Sequence, residues 1–281
     1  MPYSVLPIFV DLTLQNPADK SRLAMASALL DEQFAPCILV PNSDAQKFIL
    51  HGICEDHLET IIAEIRHGLS IPLQAGAPQV AYRETITFCT QLDYIFMHSS
   101  GSTAQFVQLN LQFEPMDWSN GFLFKNTANS ITDEHAAAIA EGFEHAKECG
   151  TVSGFPCIGI QIALQHYNCS AELPASVIVS AAKAAFVEGF SKAKPVILQP
   201  IMLVCVGVPL KYKESIVRDL AQGSCKVRNI VESEKNDLVK AIIINASIPL
   251  AEMRGFTTWL TTNTGGAWPL RHTTHILCSN T

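Results

Sequence analysis

The chain has no run of roughly 20 apolar residues, the length a helical membrane span needs. Its start, MPYSVLPIFVDLTLQ, carries neither a basic segment nor a small-residue cleavage site, so no signal peptide is expected and the cytoplasm is the expected compartment. No GxxxxGK[ST] motif occurs, and with it goes the backbone cradle that holds phosphates and Mg²⁺ in phosphoryl transfer. The nine cysteines form no CxxC pair and are expected as free thiols. Cys54 and His57 stand at zinc-ligand spacing, but no second pair follows, so no metal site is assigned. Ser170 and Glu172 lie near His166, yet closeness in sequence is not triad geometry. The chain is therefore read as a non-enzyme, with no catalytic residue and no cofactor.

What is present suits a folded protein of two or three domains. Of 281 residues, 48% are apolar and 16% charged, enough to build a core. The net charge of −7 argues against nucleic-acid binding over the whole surface. Its distribution is uneven. Residues 1–77 hold 4 Lys and Arg against 9 Asp and Glu, and residues 78–196 hold 6 against 11. Residues 197–281 hold 9 against 6, so a basic footprint belongs in the last third.

The first segment reads as β-α-β-β-α-β. A Val/Ile/Leu-rich strand over 4–14 leads to Asn16-Pro17, a helix start. Strands CILV and KFILHG follow, separated by a turn at Pro41–Asp44. A helix over 55–67 turns Leu58, Ile61, Ile62 and Ile65 inward, and LSIPL closes the set. The last segment repeats the order: a strand over 196–208, a helix over 211–222, two strands, a helix opened by Pro249, and a strand over 268–277. Both fit a ferredoxin-like sandwich. In the middle, strands at 82–90 and 103–113 flank a Ser/Gly stretch, and GFLFK leads to a loop at 126–131. Thr132 caps a helix with Asp133 and Glu134 in its first turn. The strand CIGIQIALQHY leads to a second loop at 168–173 and a helix opened by Pro174. Two strand-loop-helix units side by side would place both loops at one end.

Several stretches carry a family resemblance: Pro78–Ile86 (PQVAYRETI), His57-Leu58-Glu59, Phe113-Glu114-Pro115, Glu188-Gly189-Phe190, Lys194-Pro195, Gln199–Met202 (QPIM), Pro249–Met253 (PLAEM), Gly255-Phe256 and Thr264-Gly265-Gly266. In this order and spacing the chain resembles the third to fifth domains of bacterial elongation factor G. The resemblance implies an α+β chain of three domains. Residues 1–77 and 197–281 would be ferredoxin-like split β-α-β domains, flanking a protruding ribosomal-protein-like β/α domain over 78–196. It implies a ribosome-directed translation role without the GTPase motor, with ribosomal RNA, tRNA and a separate G-domain protein as expected partners.

Two sets of residues follow as candidate contacts. Asn126, Thr127, Asn129, Ser130, Tyr167, Asn168, Cys169 and Ser170 occupy the two tip loops, read either as RNA contacts or as solvated loops. Lys211, Lys213, Arg218, Lys226 and Arg228 form either an RNA-facing patch or an ordinary solvated face. The sequence departs from the family at the hairpin over 94–106, YIFMHSSGSTAQF, which has no Lys or Arg to pair with phosphates. That departure leaves open a protein–protein module on the same scaffold. Asp117-Trp118 and Trp268 are further candidates for partner anchors or sheet-edge caps.

Overall fold

A computed structural model of the chain describes residues 6–42, 46–100, 103–128, 131–170, 173–222, 224–233, 241–253, 255–264 and 270–279. Two compact units emerge: Tyr82–Leu198, and Val5–Ala81 together with Gln199–Cys278. Among the described residues no helix is long and apolar enough to cross a membrane.

The first segment comprises β1 (Ile8–Leu14), α1 (Asp19–Phe34), β2 (Ile38–Pro41), β3 (Lys47–Gly52), α2 (Glu55–Ala63), β4 (Leu73–Ala75) and β5 (Gln79–Val80). Ile8, Val10, Leu12 and Leu14 alternate inward along β1, the period-two signature of a sheet with one buried face. The antiparallel sheet order is β2-β3-β1-β4, with β5 also on β1. Asn16 opens a turn ahead of α1, its Oδ1 accepting the Ala18 N–H at 3.1 Å. Leu58, Ile61, Ile62 and Ile65 are buried as their spacing predicts. The closing strand lies later than expected. Leu69 and Ile71 donate backwards to the carbonyls of Glu64 and Ile65, which spends LSI on ending the helix and leaves Leu73–Ala75 to pair with β1.

The middle segment comprises β6 (Arg83–Ile86), β7 (Thr90–Ser100), β8 (Thr103–Pro115), β9 (Phe122–Asn126), α3 (Asp133–Ala146), β10 (Ile160–Cys169) and α4 (Ala175–Lys192). Four strands form a sheet ordered β7-β8-β10-β9. Leu109, Leu111, Phe113, Ile162, Phe143, Phe186 and Phe190 are fully buried in its core, each worth about 1.5–3 kcal/mol of transfer free energy. The helices meet where Gly142 has no side chain; a Cβ there would sit 2.6 Å from that of Ala182. The strand expected over 82–90 is two: β6, and β7, which continues to Ser100. Tyr94, Ile95, Phe96 and Met97 are apolar on both faces, so alternation is invisible in the sequence.

The last segment comprises β11 (Pro195–Pro209), α5 (Lys213–Gln222), β12 (Lys226–Ser233), β13 (Ala241–Pro249), α6 (Phe256–Thr264) and β14 (Leu270–Ser279). Its order, β12-β13-β11-β14, reproduces the first segment element for element. Pro249 opens only a short turn, Leu250–Glu252, before α6. One continuous core joins the first and last segments, from Val10, Phe48 and Ile61 to Val206, Ile216 and Ile244. The fold is α+β throughout, with ferredoxin-like topology at both ends.

Candidate nucleic-acid interface

β9 and β10 run parallel, Phe122 opposite Ile160 through Asn126 opposite Leu164. Both strands therefore point to the same end of the sheet, β9 stopping opposite Leu164 and β10 running on to Cys169. The first loop is tied down at its root. Thr127 gives both its N–H (2.9 Å) and its Oγ1 (2.7 Å) to the carbonyl of Leu164. Asn126 Oδ1 accepts the Ala128 N–H at 3.1 Å, the side-chain-to-backbone bond of an Asx turn. Asn126 and Thr127 are exposed, while Asn129 and Ser130 lie outside the described residues. Thr132 Oγ1 then accepts the His135 N–H at 3.3 Å and starts α3.

The second loop is shorter than expected. β10 keeps its ladder with β8 through Asn168 opposite Gln108 and Cys169 opposite Val107. Ser170 extends the pairing, donating its N–H to Phe106 O (3.0 Å) and accepting the Phe106 N–H on Oγ (2.9 Å). A bulge at Gln165, between Leu164 and His166, interrupts the ladder. It resets the alternation, so His166 and Asn168 face outward and Tyr167 turns into the core. Tyr167 is 5% exposed, which makes it a positioning residue and no surface contact. Its hydroxyl lies 2.9 Å from His135 Nδ1. Burial pushes its ionisation well above the usual phenol range, and a hydrogen bond with Cys169 adds to this. Of the second loop's candidates, Asn168 is exposed, and Cys169 and Ser170 are half-buried.

The outer face of the middle sheet carries a group of amides. Gln108 Nε2 donates to Asp93 at 3.1 Å, and Gln112 and Gln161 donate to the two oxygens of Glu114 at 2.6 and 2.7 Å. Gln165 in turn donates to Gln112. Lys125, beside the first loop, is an exposed cation on this face.

The five basic residues of the last segment split between two faces. Lys211 lies in a short turn with its Nζ 4.7 Å from the Tyr212 ring centre, and Lys213 and Arg218 belong to α5. Ile216 and Leu220 of the same helix, with Val227 of β12, pack into the core. Lys226 and Arg228 flank Val227 and are exposed. Arg228 sits at a bulge and gives its Nε to Ser247 Oγ at 2.6 Å. Ser247 stands between the buried Ala246 and Ile248, hence on the opposite face of the sheet from α5. Lys226 and Arg228 thus share one surface, and the helix cations another.

Sequence reasoning missed the residue that organises the middle unit's base. Glu84 is fully buried, and its carboxylate accepts N–H bonds from Val152 (3.0 Å), Ser153 (2.8 Å) and Phe155 (3.1 Å). A side chain at Gly150 would collide with it. Burial raises the Cys157 thiol's ionisation, with Glu84 the next cause, so this thiol is inert. The only advance signal was Glu84's place within PQVAYRETI.

The other candidates are structural. His57 Nε2 donates to the Phe34 carbonyl at 2.8 Å while Nδ1 accepts the Ile53 N–H at 3.3 Å, which leaves neither nitrogen for a metal. No cluster of metal-ligating side chains occurs among the described residues. Asp117 caps the short turn that holds half-buried Trp118, accepting the Ser119 N–H at 2.9 Å. Trp268 lies outside the described residues.

Residues 78–194 match the family model described as elongation factor G, domain IV. The match extends beyond this segment: elongation factor G of Anaplasma phagocytophilum (strain HZ) is 35% identical over 259 residues, 91% of this chain. The chain is homologous to the C-terminal part of elongation factor G. Elongation factor G of Orientia tsutsugamushi (strain Boryong) is 33% identical over 250 residues, 88% of this chain. The chain spans 36% and 35% of the lengths of these two relatives, and their GTPase domain lies outside the matched part. A crystal structure from Thermus thermophilus superposes with a TM-score of 0.64 at 24% identity, covering 99% of this chain and 42% of its own, a likeness of fold. Both loops fall within the stretch that matches domain IV.

Proposed function

We propose that this protein acts in translation by binding the ribosome without hydrolysing GTP, as a modulator of translocation or as one part of a two-chain factor whose G domain is a separate protein. The reading takes 1–77, 78–196 and 197–281 as three domains, placed in the cytoplasm. The observation that carries it is the parallel pairing of β9 with β10, which brings two loops to one end of a domain IV. Asn126, Thr127 and Asn168 are exposed there as RNA-contacting groups, with Cys169 and Ser170 half-buried behind them. Asn129 and Ser130 belong to the same proposal by sequence. In the last segment, Lys226 and Arg228 supply one phosphate-facing surface, and Lys211, Lys213 and Arg218 a second.

The test is co-sedimentation of the folded chain with ribosomes across a salt series. Binding that weakens steeply with salt supports RNA contact, because neutralised phosphates release counterions. A folded chain that stays in the supernatant at low salt overturns the proposal.

A second reading, a protein–protein module on this scaffold, is favoured by one observation. The outer sheet face presents Gln108, Gln112, Gln161 and Gln165 around two carboxylates, a poor match for phosphate. Ribosome binding insensitive to salt would favour this alternative.

A further inference from the structure

β7 is an edge strand, since the order β7-β8-β10-β9 gives it a single neighbour in the sheet. Natural edges are blunted by Lys, Pro, shortness or a cover, because their unpaired N–H and C=O groups template a further strand. β7 has none of the sequence devices: its eleven residues, TQLDYIFMHSS, hold no Lys, Arg or Pro. The opposite edge, β9, is five residues long and carries the exposed Lys125. Among the described residues, the ladder with β8 is where β7's backbone bonds go.

The side chains add a second observation. Leu92 is buried, and Tyr94 and Phe96 are half-buried over the middle core. Asp93, Ile95 and Met97 therefore take the opposite face. Ile95 is 57% exposed and Met97 64%. The edge leaves apolar surface uncovered on both sides of the sheet.

We propose that β7 pairs antiparallel with β7 of a second copy, about a two-fold axis at Phe96. A two-fold contact uses the same patch on both copies, so the strand has to complement itself. It does so in this register. Ile95 falls beside the partner's Met97, and the symmetry repeats that pair. Phe96 meets the partner's Phe96 on the inner face, and Tyr94 meets the partner's His98. Asp93 falls opposite the partner's Ser99, so no two carboxylates face each other and no Lys or Arg is desolvated. The contact is small, about nine residues a side against roughly 20–30 in a standard interface, so the dimer is reversible and concentration-dependent.

The experiment is sedimentation equilibrium of the whole chain from low to high micromolar concentration, with amide hydrogen exchange followed at both ends of the range. The expected result is a mass that rises toward twice the monomer, with β7 amides gaining protection as it does. Ile95→Lys changes an exposed side chain and should leave the fold intact while weakening the dimer about tenfold or more, because its charge enters an apolar strand contact. A dimer untouched by Ile95→Lys, with β7 amides unprotected, lies elsewhere and overturns the proposal. So does a chain that remains monomeric throughout. If β7 gains protection only when a different protein is added, another strand is the occupant and the second copy is rejected.

Discussion

The hydroxyl of Tyr167 and Nδ1 of His135, 2.9 Å apart, tie the end of β10 to the first turn of α3. The two rings meet edge to face with centres 5.6 Å apart. The contact clamps one tip loop to the helix that follows the other. Tyr167→Phe removes the hydroxyl alone and is expected to cost about 1 kcal/mol, the worth of a buried hydrogen bond. Urea unfolding measures it, and an unchanged midpoint would show that the contact contributes nothing.

The raised ionisation of Tyr167 gives a pH dependence with a definite sign. A phenol that ionises later when folded stabilises the fold fully below the ordinary value of about 10, and that contribution is lost as pH rises through the folded value. Stability should fall above pH ~10 in the parent and fall less in Tyr167→Phe, by thermal melts in matched alkaline buffers. Parallel curves would count against the assignment.

Glu84 is the anchor of the 148–157 turn. Glu84→Ala takes the acceptor from three part-buried N–H groups and empties the fully buried site of its side chain, and should cost about 1–3 kcal/mol. Gly150→Ala should destabilise by about 1–3 kcal/mol through overpacking against the same carboxylate. Denaturant midpoints that barely move would remove Glu84 from this role.

Thiol labelling should sort the cysteines. Cys89 and Cys149 are exposed and should react first with a thiol reagent near pH 8, while Cys157 should stay unlabelled in the folded chain. Cys225 is intermediate: burial first, then Glu252, push its thiol up to about 11, so its labelling should speed up as pH rises toward that value. Rapid labelling of Cys157 would contradict the buried setting.

The basic residues predict salt slopes. If Lys226 and Arg228 contact phosphate, each alanine variant should lower the slope of log affinity against log salt by about 1. Arg228→Ala also loses the bond to Ser247, so a melt should accompany the sedimentation. Slopes equal to the parent's would leave both residues as ordinary surface charge.

Periodicity made most of the fold legible. Leu58, Ile61 and Ile62 announced α2, with Ile65 in the turn that ends it, and alternating Ile, Val and Leu announced β1. The shared order of elements at the two ends announced matching sheets. What escaped was non-periodic. One extra residue at Gln165 reversed the facing of everything after it, so Tyr167 was read as a loop contact when it belongs to the core. β7 escaped periodicity because it is apolar on both faces, and only the resemblance placed a hairpin over 94–106. Glu84 escaped because its partners lie about 70 residues away in the chain, where no local pattern reaches.

The pairing of β6 with the start of β11 bears on how the chain tolerates change. Arg83 stands opposite Leu198 and Ile86 opposite Pro195, so the chain enters and leaves the middle unit through adjacent strands. The first and last segments meanwhile complete a single core between them. In topological terms the middle unit is a cassette spliced into a host. Exchanging the stretch between these two strands for another domain with neighbouring ends should leave the host's hydrophobic interior whole, making the tip loops replaceable while the surrounding scaffold stays constant.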